Sequence, residues 1–146
     1  MIAFISSLLA AAILVLIALL HVYWTMGGYF PAKDADSLAQ TVVGGQAGMV
    51  MPPVSACLLV AALLCMAAWV VLVCGGGLSP VFSLEIHRLG AFGLGGVLLL
   101  RGAGGFFDVY LRPSIKGSRY EKLNLQVYSP LCLGLAALVF MATGGR

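Results

Sequence analysis

The segment from Ile2 to Trp24 runs for 23 residues without one charged side chain. As a helix it would rise about 34 Å, enough to cross the hydrocarbon of a bilayer. No Lys or Arg precedes it and it is too long for the apolar core of a secretory signal, so it is expected to remain as a transmembrane helix. Three more apolar runs follow, from about Pro53 to Cys74, Ile86 to Leu111 and Val127 to Thr143. Hydrophobic residues make up 62% of the chain, with 19 glycines besides, and charged residues only 9%. A soluble domain of 146 residues has too much surface for its volume to hide so much apolar area. A soluble enzyme, a disordered chain and a nucleic-acid binder are thereby excluded. The expectation is an all-α, integral membrane bundle of four transmembrane helices, with residues 1–146 forming a single domain.

Proline and glycine mark the ends. Pro52-Pro53 suits the start of the second span, and Gly75, Gly76 and Gly77 its end. Ser79-Pro80 suits the start of the third, which would then begin along the membrane surface. Ser129-Pro130 suits the start of the fourth. Four crossings leave both termini on one side. Loop three, Arg112 to Lys122, carries Arg112, Lys116, Arg119 and Lys122 against Glu121 alone, and loop one, Thr25 to Met51, adds Lys33 with Asp34 and Asp36. The opposite side has Arg88 and Arg146. Lys and Arg gather on the cytoplasmic side, so loops one and three are expected in the cytoplasm and the termini outside a plasma membrane. The middle of loop one, Ala39 to Val50, has the composition of a segment that lies on the membrane or dips into it.

Polar groups inside a span are costly and ask for a reason. His21, Tyr23 and Trp24 close the first span, Arg101 and Asp108 lie in the third, and Asn124 and Tyr128 open the fourth. All seven fall toward the cytoplasmic end, with Arg101 deepest. They are the candidate ligand-binding set. Arg101 and Asp108 are two turns apart, about 10 Å, so His21, Tyr128 or a bound anion is expected to fill the gap. Each residue also has a plainer use. The aromatics suit interfacial anchoring, His21 and Arg101 suit snorkelling, and Asp108 can pair with Arg112 four residues on. The third span holds Gly90, Gly93, Gly95, Gly96, Gly102, Gly104 and Gly105, which favours close helix packing over room for a ligand.

Other chemistries lack their parts. His21 and His87 fall at opposite ends of any four-span bundle, so bis-histidine haem is not expected. No His, Cys or Glu group has metal-ligand spacing. Cys57, Cys65, Cys74 and Cys132 contain no C-x-x-C pair and read as small apolar residues. Only Asp108 offers an intramembrane carboxylate for proton-coupled export. No cofactor is expected.

The stretches H-V-Y-W-T-M-G-G (His21 to Gly28), L-L-L-R-G-x-G (Leu98 to Gly104) and L-N-L-Q-V-Y-S-P-L-C-L (Leu123 to Leu133) resemble a family of small bacterial membrane proteins known as a domain of unknown function, DUF3995. The resemblance covers nearly the whole chain, implies a four-helix membrane protein and brings no activity. The family pattern has an acidic residue at the place of Gly105 and an aspartate at that of Asn124. Three functions fit the residues. The first is a binding or accessory protein that holds an anionic or amphipathic lipid or a partner, with Arg101 as charge partner, His21, Tyr128 and Asn124 as hydrogen-bond donors, and the bases of loop three as headgroup contacts. The second is an enzyme acting on a lipid or quinone with His21 as acid or base. The third is an anion pathway in a dimer, a homo-oligomer of this chain, lined by Arg101, Phe106 and Phe107 beside glycine-rich backbone.

Overall fold

The computed structural model describes residues 1–44 and 51–144. Helix α1 spans Ile2–Thr25, a short α2 spans Ala35–Val42, and α3 spans Val54–Gly75. Helix α4 spans Leu84–Leu111, a 3₁₀ turn covers Pro113–Ile115, and α5 spans Arg119–Leu123. A π-helical turn, Asn124–Tyr128, joins α5 to α6, Ser129–Gly144, so that Arg119 to Gly144 is one continuous helix. No strand occurs among the described residues. Four helices, Ile2–Thr25, Val54–Gly75, Leu84–Leu111 and Arg119–Gly144, are long and apolar enough to cross a bilayer. The protein is an all-α, multi-pass membrane protein.

Size, rather than polarity, separates the inner and outer faces of these helices. Helix α1 buries Ser6, Ser7, Ala10, Ala11, Leu14 and Ala18, while Ile2, Leu9, Leu16 and Leu19 stay exposed. Lipid is as apolar as leucine, so small inward residues gain closeness of backbone and large outward ones lose nothing. Ala68, Val71, Ala91, Leu135 and Val139 complete the core. Helix α1 packs on α3 and α6, and α4 packs on the same two, so α1 and α4 stand on a diagonal. Loops one and three share one end of the bundle, the basic end. The chain termini and loop two share the other.

The glycines of α4 divide by face. A methyl group at Gly95 would strike the Phe140 ring, one at Gly102 would strike Leu133, and one at Gly105 would lie 1.9 Å from Ser129 Oγ. These three bring α4 against α6. Gly93, Gly96 and Gly104 meet nothing within 4 Å. At the other end of the bundle Gly75 lets α3 close on α1, where a methyl would come 2.3 Å from Ser7 Cβ. Gly76 ends α3 in the left-handed region at φ +85°, as the sequence leads one to expect.

Two start signals lie elsewhere than expected. Ser79-Pro80 sits in loop two, and α4 begins at Leu84 after Ser83. Ser129-Pro130 is inside the fourth helix, which starts ten residues earlier at Arg119, with the Ser118 side chain accepting from the Glu121 N–H. Proline has no N–H for the carbonyl four residues back, and the π turn just before it absorbs the mismatch. In loop one, Ala39 to Val42 end α2, and the remainder of the expected membrane-dipping stretch, 45–50, lies outside the described residues, as does Arg146. Helix α2 starts at Asp34, whose carboxylate accepts from the Ser37 N–H at 2.8 Å. That backbone bond, helped by the Ser37 hydroxyl, holds the Asp34 carboxyl below its usual range.

Candidate functional site

The π turn sets the site. A five-residue turn stacks Asn124 over Ser129, which in a regular α-helix would face apart. Both side chains are buried and point at α4, where Ser129 Oγ donates to Asn124 Oδ1 at 3.3 Å and Asn124 Nδ2 donates to Gly105 O at 2.7 Å. Asn124 Oδ1 also accepts from Arg101 Nη2 at 3.1 Å. The guanidinium thus bends one turn toward the basic end, into space that exists because residue 105 has no side chain: a methyl there would lie 2.8 Å from Arg101 Nη1.

Among the described side chains, Tyr120 bridges Arg101 and Asp108, where His21 or Tyr128 was expected. Tyr120 OH donates to Asp108 Oδ2 at 2.9 Å and accepts from Arg101 Nη2 at 3.5 Å. Asp108 pairs with Arg112, whose Nε donates to Oδ1 at 2.8 Å and whose Nη2 bonds Oδ2. The bond to Asp108 raises the Arg112 guanidinium above its ordinary value. Arg112 also lies over the Tyr120 ring, 5.2 Å from its centroid, and donates to Tyr120 OH at 3.1 Å. The i,i+4 pairing weighed from the sequence is therefore the one that forms.

Beside this network lies a cavity of about 700 Å³. Ile17, Leu20, His21 and Trp24 of α1 line it, with Ala56, Cys57 and Val60 of α3, Arg101 of α4, and Val127, Tyr128, Leu131 and Cys132 across the π turn and α6. Four of the seven candidates, His21, Trp24, Arg101 and Tyr128, meet there. Asn124 stands behind Arg101 and positions it. Asp108 is in the polar network, away from the cavity wall. Tyr23 is elsewhere, its ring pressed on Gly28. Phe106 and Phe107 are exposed and line no part of the cavity.

Most polar atoms around the cavity already have protein partners. Trp24 Nε1 donates to Phe30 O at 2.7 Å and Tyr128 OH to Thr41 O at 3.3 Å. His21 bonds Ile17 O through Nδ1 at 2.8 Å; a carbonyl only accepts, so Nδ1 carries the proton and Nε2 keeps its lone pair in the neutral ring. Two of the four loop-three bases are likewise engaged, Arg112 with Val43 O at 3.3 Å and Arg119 with Pro31 O at 3.0 Å. Lys116 and Lys122 are exposed.

Sequence reading missed Tyr120, Ser129 and the loop-one carbonyls. Tyr120 lay in a polar loop by pattern, and Ser129 was assigned to a cap. None of the four cysteines is in a disulfide. No group of three metal-ligating side chains occurs among the described residues.

No curated protein and no solved structure matches the chain. The family model described as "Protein of unknown function (DUF3995)" matches residues 14–139, a stretch that includes His21, Arg101, Asn124 and Tyr128, and the chain belongs to that family.

Proposed function

We propose that the protein binds an anionic, lipid-like amphiphile in the cavity at the basic end. One observation carries this reading. Arg101 opens on the cavity, yet its side-chain partners are the neutral Asn124 and Tyr120. The nearby carboxylate, Asp108, is held by Arg112. Three charges, two positive and one negative, leave the cluster with one excess positive charge in a low-dielectric place. Such a charge is expensive unless something neutralises it. An anion at the cavity mouth would do so, while Ile17, Leu20 and Leu131 would receive its apolar part. Tyr128 and Trp24 serve as walls rather than donors, and His21 Nε2 is the other polar atom offered to a ligand. By the excess of Lys and Arg, the basic end faces the cytoplasm of a plasma membrane.

The test is the lipid that stays bound through gentle extraction, read by native mass spectrometry. Arg101→Ala is expected to lose an adduct that the unmodified protein retains. Equal adducts in both would overturn the reading.

The acid–base alternative rests on one observation, the bond of His21 Nδ1 to Ile17 O on the cavity wall, which makes Nε2 the acceptor of a neutral ring. His21→Gln separates the two: a binder keeps its adduct, whereas an enzyme loses turnover of the retained molecule.

A further inference from the structure

We infer that the cavity is filled from the side, through the seam between α3 and α4, by a single-tailed anion already dissolved in the leaflet. This rests on the binding reading above and adds to it the route and the class of ligand.

The water-facing side is held by loop one. Four helix side chains bond its carbonyls: Trp24 to Phe30 O, Arg119 to Pro31 O, Tyr128 to Thr41 O and Arg112 to Val43 O. Of the described residues of loop one and its junction with α3, Phe30, Pro31, Val42, Val43, Met51 and Pro52 line the cavity. The α3–α4 seam is different. At the far end of the bundle it is shut, with Val70 over Gly90 and the Trp69 and His87 rings 5.0 Å apart. Gly90 and Arg101 lie eleven residues apart, about three turns, and so share a face of α4. On α3, Val60 lies about a quarter turn around from the face of Val70, on the cavity side with Ala56 and Cys57. Arg101 lines the same cavity from α4. Both residues line the cavity and both are exposed, Val60 by 39%. The lateral route rests on that exposure beside the cavity.

A ligand that uses this route must come from among acyl chains. The guanidinium at the mouth selects a negative headgroup, and the apolar walls take a tail. A volume of about 700 Å³ matches one drug-sized molecule. One acyl chain is the tail that such a volume takes in.

The chain has two tryptophans, Trp24 at the cavity and Trp69 at the far end. In a Trp69→Phe background in zwitterionic nanodiscs, dibromostearate is expected to quench Trp24 saturably, and its methyl ester only in proportion to its mole fraction. Arg101→Gln is expected to abolish the saturable part. Val60→Phe is expected to slow the onset at least tenfold. Leu58→Phe, exposed on the side of α3 opposite Val60, is expected to leave the rate alone. An onset at the unmodified rate in Val60→Phe would overturn the lateral route and leave the site standing. Absence of saturable quenching in the Trp69→Phe protein would overturn the site itself.

Discussion

Each end of the bundle holds a histidine packed on a tryptophan, and the two are built almost alike. At the basic end the His21 and Trp24 ring centroids are 4.9 Å apart; at the far end those of His87 and Trp69 are 5.0 Å apart. Each imidazole bonds a carbonyl four residues back through Nδ1, to Ile17 O and to Ser83 O. The surroundings part them. His87 is buried and its Nε2 has no hydrogen-bond partner among the described residues. His21 borders a cavity with a guanidinium on the opposite wall. Residue type therefore does not mark a site in this chain; what the helices leave between them does.

The far end closes because Gly75 lets α1 and α3 touch. The basic end stays open because Gly105 admits Arg101 in place of a packed side chain. Gly75→Ala should cost most, about 3 kcal/mol, since Ser7 Cβ cannot turn aside and the two helices must separate. Thermal unfolding in detergent would show it. Gly105→Ala should cost less, about 1–2 kcal/mol, because Ser129 Oγ can rotate, but should also lower amphiphile retention by displacing Arg101. Gly104→Ala, on open space, should change neither.

Arg112→Ala comes next. It removes the partner of Asp108 and the bond to Val43, so amide exchange across α2 and Val43 should rise at least tenfold while the core of α3 stays protected. Uniform exchange across both would show that loop one is held by something else.

The smallest effect belongs to the histidines themselves. His87→Leu removes a buried acceptor without a partner and should stabilise by about 1 kcal/mol, with retention unchanged. A loss of retained amphiphile in that variant would erase the distinction between the ends.

The spans were legible because a bilayer imposes a length and a solvent on each helix, and uncharged runs report both. The candidates Arg101, His21 and Tyr128 were legible because polar groups are rare in such runs. Their partners were not. Tyr120 sits among loop-three charges, and only the upward extension of the fourth helix to Arg119 brings it beside Asp108. That extension was hidden by Ser129-Pro130, which reads as a start and instead follows a π turn. The division of the α4 glycines was equally hidden, because a glycine carries no sign of which neighbour it faces. Tyr23 belonged to the candidate set by adjacency alone, and its position on the helix turns it toward Gly28.

The most direct test of the account is a density map of the protein extracted into polymer-bounded native membrane discs. The account predicts an elongated feature in the basic-end cavity, with its polar end within hydrogen-bond distance of Arg101 and one tail between Ile17 and Leu131. A map in which α3 closes onto α4 at Val60, or in which Arg101 is met by a carboxylate of the protein, would contradict it.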